Sequence, residues 1–308
     1  MPVSMLDQVI NFTTVFLGIF IEAAPFLLLG TVASGLVEVF VSKEELSRLL
    51  PSNPVMAALV GGVMGFAFPV CECGVVPLTR RLFKKGLPVA AGVAFLLAAP
   101  IVNPVVLAST FAAYGFGKVL IARFGFGLLV AVAVGLIFSF NPSPAAMLRL
   151  QTFTPGEDSP GSEAAAMPAD PLKVRLHQAM RIAADEFFEM GLYLVIGSLL
   201  AALMQTVVPQ SLLLALGSGP FASVVVMQAL AFVLSVCSTV DAFISLAFVN
   251  TFSTGAVLSF LVFGPMVDIK SLLMFTGVFQ RKFVAYLVVL PFLMVMLIGV
   301  FINLNVWW

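Results

Sequence analysis

The sequence predicts an all-α integral membrane protein made of two homologous halves. Three observations carry that expectation. The 308-residue chain is 61% hydrophobic and only 10% charged, with a mean hydropathy of +1.14. Many of its apolar stretches approach or exceed the ~20 residues a helix needs to cross a bilayer. Polar breaks interrupt those stretches at matching places in the two halves. The expected fold is a pair of inverted repeats with broken helices and hairpins, in about 8–10 membrane segments.

The elements follow in order. The first apolar run is Val9 to Phe40, interrupted by Glu22 and Pro25. The N-terminus from Met1 to Asp7 has no basic region, so it reads as part of a retained helix and not as a cleaved signal. A polar loop with Lys43, Glu44, Glu45 and Arg48 comes next. Asn53 to Phe68 is rich in Gly, Ala and Val and leads into a proline-bounded segment, Pro69 to Pro77. A short amphipathic stretch then carries Arg80, Arg81, Lys84 and Lys85. Leu87 to Ala113 is apolar but broken at Pro100-Ile101-Val102-Asn103-Pro104, and Val119 to Phe140 closes the first half, residues 1–140. Residues 141–171 are rich in Pro, Gly and acidic residues and poor in large apolar ones, so they read as a flexible cytoplasmic linker. Asp170-Pro171 is suited to start a helix, with Asp at the N-cap and Pro at N1. Leu172 to Met190 mixes charged and apolar residues and reads as partly interfacial. The second half, residues 172–308, ends in Trp307-Trp308, a pair suited to the membrane–water interface.

The halves match at several landmarks. Glu22 to Gly30 pairs with Glu189 to Gly197, Cys71 with Cys237, and the Phe95–Asn103 stretch with Phe260–Asp268. Lys and Arg favour the cytoplasmic side. If residues 53–85 enter and leave on one side as a hairpin, every basic loop is cytoplasmic except that of Lys118 and Arg123. The N-terminus is then outside, the linker inside, and the two halves are inverted. The second hairpin, about 219–252, opens outward and its loop has no Lys or Arg.

Chemistry concentrates at the breaks. Cys71-Glu72-Cys73-Gly74 places two thiols and a carboxylate in membrane sequence. Ionisable groups there usually line a substrate or ion path, and thiolates suit soft, thiophilic centres. The flanking prolines and Gly74 should break the helix and free backbone groups, which is tolerated where the backbone is buried or lines a cavity. The competing reading is a pair of small buried cysteines at a bend. The second-half counterpart, Cys237-Ser238-Thr239-Val240-Asp241, keeps one thiol and adds oxygen donors. Ser238 and Thr239 can simply satisfy helix carbonyls, but Asp241 is a carboxylate between two apolar runs. The other pair of breaks offers Asn103 and Asp268. Asn103 is also a good helix cap, and Asp268 can pair with Lys270 at the interface. Convergence of the four breaks would make a transport site. Glu22 and Glu189 can pair with basic residues or brace the hairpins.

Other classes are poorly served. Zero net charge suggests no nucleic-acid partner, and three cysteines make a disulfide framework implausible. A single His excludes a His-based metal site, and no nucleotide loop or Ser-His-Asp arrangement occurs. No cofactor is expected. An intramembrane thiol redox enzyme using Cys71, Cys73 and Cys237 remains a rival, without a visible haem or quinone ligand set.

Pro69-Val-Cys-Glu-Cys-Gly-Val-Val-Pro77, Ala94 to Pro104, Cys237 to Phe243 and Gly264 to Asp268 together resemble one family. It is the predicted-permease family that includes the trivalent organoarsenical efflux permeases (ArsP-like). The resemblance covers both halves and leaves out the linker. It implies a multi-pass permease of a bacterial or archaeal cell membrane. For the arsenical branch it implies that Cys71 and Cys73 recognise substrate; Cys237 as a third ligand extends that implication. The expected activity is secondary transport: efflux of a small thiophilic substrate, as in arsenic resistance. The partners are then the lipid bilayer, a small-molecule or ion substrate, and protons handled by Glu72, Asp241 or Asp268. A permease for a metal ion or small anion is the alternative within transport.

Overall fold

The computed structural model describes residues 5–49, 51, 53–68, 70–140, 148, 171–207 and 219–305. Pro69, most of the linker including Asp170, residues 208–218 and Trp307-Trp308 lie outside them. The described residues form helices and their connections. Leu148, in the linker region, makes an isolated antiparallel bridge to Phe279. The first half runs α1 (Met5–Phe40), α2 (Lys43–Leu49), α3 (Pro54–Ala67), α4 (Glu72–Lys84), α5 (Val89–Ala98), α6 (Pro104–Tyr114) and α7 (Lys118–Ser139). The second runs α8 (Leu172–Val207), α9 (Ala222–Leu234), α10 (Asp241–Ser245), a 3-10 turn at Leu246–Phe248, α11 (Thr254–Met266), α12 (Ile269–Val278) and α13 (Arg281–Asn305). Among the described residues, α8 to α13 follow the element order of α1 and α3 to α7.

Five stretches among the described residues are long and apolar enough to cross a bilayer: Leu6–Phe40, Lys118–Ser139, Leu172–Val207, Thr254–Val278 and Arg281–Asn305. The shorter apolar helices α3, α5, α6 and α9 reach about 15–21 Å at 1.5 Å per residue. That is less than the ~30 Å hydrocarbon layer, so each is one arm of a broken or doubled-back segment. The long helices differ from the sequence reading in two ways. Pro25 lies inside a continuous α1, which accommodates the missing N–H without ending. Leu172 to Met190 runs without a break into the apolar residues that follow, as the first half of α8.

Helices α1 and α8 cross antiparallel. Gly35 of α1 sits against the backbone of Ala179 and Ala183. Arg175 donates to the Val39 carbonyl and lies over the Phe40 ring. At the other end of the contact, Glu22 of α1 and Gly197 of α8 both face Lys270. Small residues permit such close backbone approach. Beyond this pair, α3, α5 and α7 form a three-helix group in the first half, and α9, α11 and α13 form its counterpart in the second. The halves also exchange contacts: α4 packs on α12, and α10 packs on α6. One apolar core therefore runs through both halves and includes Cys71, Cys73, Phe95, Cys237, Val267 and Phe279.

Candidate functional site

The helix breaks lie where the sequence placed them, and they meet. In the first half α3 stops at Ala67 and α4 restarts at Glu72, while α5 stops at Ala98 and α6 restarts at Pro104. Asn103 joins the two breaks. Its Oδ1 accepts from the Val105 N–H at 2.9 Å and caps α6, and its Nδ2 donates to the Val70 carbonyl at 3.4 Å. The second half solves the same problem with other groups. Ser235 ends α9 in the left-handed region at φ 47°. Its hydroxyl accepts from the Ile269 N–H at 3.1 Å, across the break between α11 and α12. Asp268 caps α12 by accepting from the Ser271 N–H at 2.6 Å, and the Ser271 hydroxyl accepts in return from the Asp268 N–H. The Asn103 cap was expected from the sequence, whereas Asp268 both caps α12 and faces Lys270.

That cluster centres on Lys270, which is only 1% exposed. Its ammonium lies 3.5 Å from Asp268 Oδ2 and 3.6 Å from Glu72 Oε1. The Asp268–Lys270 pair is buried in the bundle, not at an interface. Glu72 brings the first half to it, and Glu22 of α1 is within electrostatic reach of Lys270 and Glu72. Glu72 Oε2 is buried with no hydrogen-bond partner.

The thiols surround the same cluster. Cys71 is the N-cap of α4 and Cys73 lies in its first turn. The two thiols are within hydrogen-bonding reach of each other. Pro77 is inside α4 and has no N–H, so the Cys73 carbonyl loses its usual helical donor. Gly74 lets α4 close on α1: a Cβ on Gly30 would come 2.2 Å from the Gly74 Cα. Cys237 accepts from the Thr239 hydroxyl at 3.5 Å and is within electrostatic reach of Glu72, Cys71 and Lys270. All three thiols are free and buried. Among the described residues no group of three His, Cys, Asp or Glu side chains is arranged to hold a metal ion.

Asp241 belongs to a second network. Arg123 of α7, wholly buried, donates to Asp241 Oδ2 at 2.7 Å, to the Thr110 hydroxyl at 2.8 Å and to the Ser238 carbonyl at 3.3 Å. The Ser238 hydroxyl and Asp241 Oδ1 are buried without hydrogen-bond partners. Nearby, Tyr114 of α6 and Ser245 of α10 share a hydrogen bond of 2.6 Å. A third set of pairs braces α4 against α8: Arg80 binds Glu189, and Arg81 binds Glu186. Glu189 thus does what its matched position suggested, pairing with a basic residue behind the break.

Sequence reasoning missed Arg123 and underrated Lys270. Arg123 had left a trace, as a basic residue on the wrong side of an otherwise consistent charge distribution. It is no loop charge at all but the buried partner of Asp241. An apolar cavity of about 50 Å³ lies apart from the thiols, against Tyr114, Val119, Ala122, Val257, Leu258 and Ile302.

Known proteins bear on this arrangement. The ArsP_1 family, described as predicted permease, matches residues 8–304. The UPF0718 protein YcgR of Bacillus subtilis (strain 168) is 45% identical over 280 residues, which is 91% of this chain and 92% of that protein. A putative two-component membrane permease complex subunit of Streptococcus mutans is 37% identical over 280 residues, 90% of each chain. No solved structure matches the chain. With its apolar spans and this match over nearly its whole length, the chain is a multi-pass membrane protein that belongs to the ArsP_1 predicted permease family.

Proposed function

We propose that the chain is a secondary permease that exports a small thiophilic solute, such as a trivalent organoarsenical, past Cys71, Cys73 and Cys237. One observation carries the reading: four helix breaks meet at a buried cluster that holds all three thiols and a lysine–carboxylate group. Sites of this kind, at discontinuous helices between repeats, are where secondary transporters bind their substrates and coupling ions. The antiparallel crossing of α1 and α8, which occupy equivalent places in the two halves, supports an inverted repeat. The halves then rock about the cluster while carboxylates exchange protons with the two sides. Uptake of radiolabelled methylarsenite into everted vesicles tests this. Uptake that depends on a proton gradient and on the thiols supports it; equal uptake by vesicles lacking the protein removes the arsenical reading.

A second reading, a small inorganic anion as substrate, draws on a different observation. Part of the carboxylate charge that would repel an anion is met, Asp241 by Arg123, and Glu72 by a Lys270 it shares with Asp268. Helix N-termini at Cys71, Asn103 and Asp268 also favour negative charge. Competition of phosphate, sulfate or arsenate against methylarsenite in the same vesicles separates the two.

A further inference from the structure

The cluster around Lys270 is unbalanced in charge. Glu72 and Asp268 both point at one ammonium, at 3.6 and 3.5 Å. All three side chains are buried, and neither Glu72 Oε2 nor Asp268 Oδ2 has a hydrogen-bond partner. Two carboxylates on one lysine leave a net charge of −1 out of water. An isolated buried charge is strongly unfavourable, and a carboxyl in that position takes up a proton. The neighbours do not supply the missing positive charge. Glu22 from α1 adds another carboxylate, and Cys71, Cys73 and Cys237 add thiols. From α8, Gly197 lies against the Cα and Cβ of Lys270. Arg123 is committed to Asp241.

We propose that Glu72, Asp268 and Lys270 form a single-proton site, in which one proton is shared by the two carboxylates. The reading that the chain is a permease then makes this the seat of the coupling ion, but the site itself stands on the geometry alone. A metal cation is a poorer occupant. The ammonium already fills the position between the carboxylates, and no metal-holding group occurs among the described residues. A proton needs only one free oxygen, and Glu72 Oε2 supplies it. Asp241 is not part of the site, because its charge is met one-to-one by Arg123.

The site makes a counting prediction. The wild-type cluster holds one proton. Glu72→Gln and Asp268→Asn each leave one carboxylate facing one lysine, so each holds none. Asn also caps helices well, so the second substitution keeps the start of α12. Lys270→Met leaves two carboxylates without a cation and holds two. Glu22→Gln leaves the count at one. The experiment is infrared difference spectroscopy of the full-length protein in liposomes, reading the carbonyl stretch of protonated carboxyl groups and its shift in deuterated water. The expected band intensities are one, none, none and two in that order. Folding of each variant is checked by size-exclusion chromatography. A wild-type band that persists unchanged in both Glu72→Gln and Asp268→Asn overturns the proposal. So does a wild type with no protonated carboxyl at neutral pH, including one stabilised instead by sodium. The spectrum reads proton occupancy without transport. If the count fails while proton-driven transport persists, the permease reading stands and the proton is carried elsewhere.

Discussion

Replacing Arg123 tests whether the Asp241 pair holds the two halves together. Arg123 has no exposed surface and makes three side-chain interactions, of which only one, to Asp241, is charged on both sides. Arg123→Gln strands Asp241, whose Oδ1 already has no hydrogen-bond partner. Asp241→Asn strands the guanidinium instead. Removing one member of a buried pair costs about 3–5 kcal/mol, whereas replacing both members is often close to neutral. At about 1.4 kcal/mol per tenfold, each single variant should lower the folding equilibrium constant on the order of a hundredfold or more. Arg123→Gln with Asp241→Asn should recover most of that loss. The assay is reversible unfolding by SDS in mixed micelles, with the interaction energy taken from the double-mutant cycle. Single variants that each cost less than about 1 kcal/mol, or a double variant that costs their sum, would refute the reasoning. A stable Asp241→Asn variant with unchanged transport and unchanged pH dependence would also take Asp241 out of the transport cycle.

Three further outcomes are expected. Cys71→Ser and Cys73→Ser should each abolish methylarsenite transport at normal expression, with Cys237→Ser weaker; a Cys71→Ser, Cys73→Ser double variant that transports at the wild-type rate would mean the thiols only pack. Gly30→Ala should prevent accumulation of folded protein in the membrane, because its Cβ meets the Gly74 Cα at 2.2 Å; Gly18→Ala on the same helix, with nothing within 4 Å, should be silent in the same immunoblot. With the inverted arrangement, an impermeant maleimide should label Lys84→Cys from the cytoplasm and Thr251→Cys from outside, and labelling of both from one face would rule that arrangement out.

The breaks were legible in the sequence because proline, glycine and capping residues act locally. Pro104 after Asn103 announces a helix start from neighbours in the chain, whereas the Asp268–Ser271 capping box went unread. The charge pairing was not legible. Arg123 and Asp241 lie 118 positions apart, and nothing near Arg123 distinguishes a buried guanidinium from one at a helix end. Lys270 shows the same limit from the other side. Its neighbour Asp268 was visible, but Glu72, which turns an ordinary pair into an unbalanced group, comes from the other half. Cys71 and Cys73 lie two residues apart in the chain, a spacing that would put both thiols on one side of an extended backbone. They come together instead across a helix start, with only Cys71 extended.

The ion pairs also bear on how the protein is made. Arg80, Arg81, Arg123 and Glu72 of the first half meet Glu189, Glu186, Asp241 and Lys270 of the second. Four ion pairs therefore close only once residues of both halves have been made. A charged side chain within the bilayer is costly until it is paired, so the arrival of the second half stabilises the first. Expressed as two polypeptides divided in the linker, the halves should accumulate only when made together.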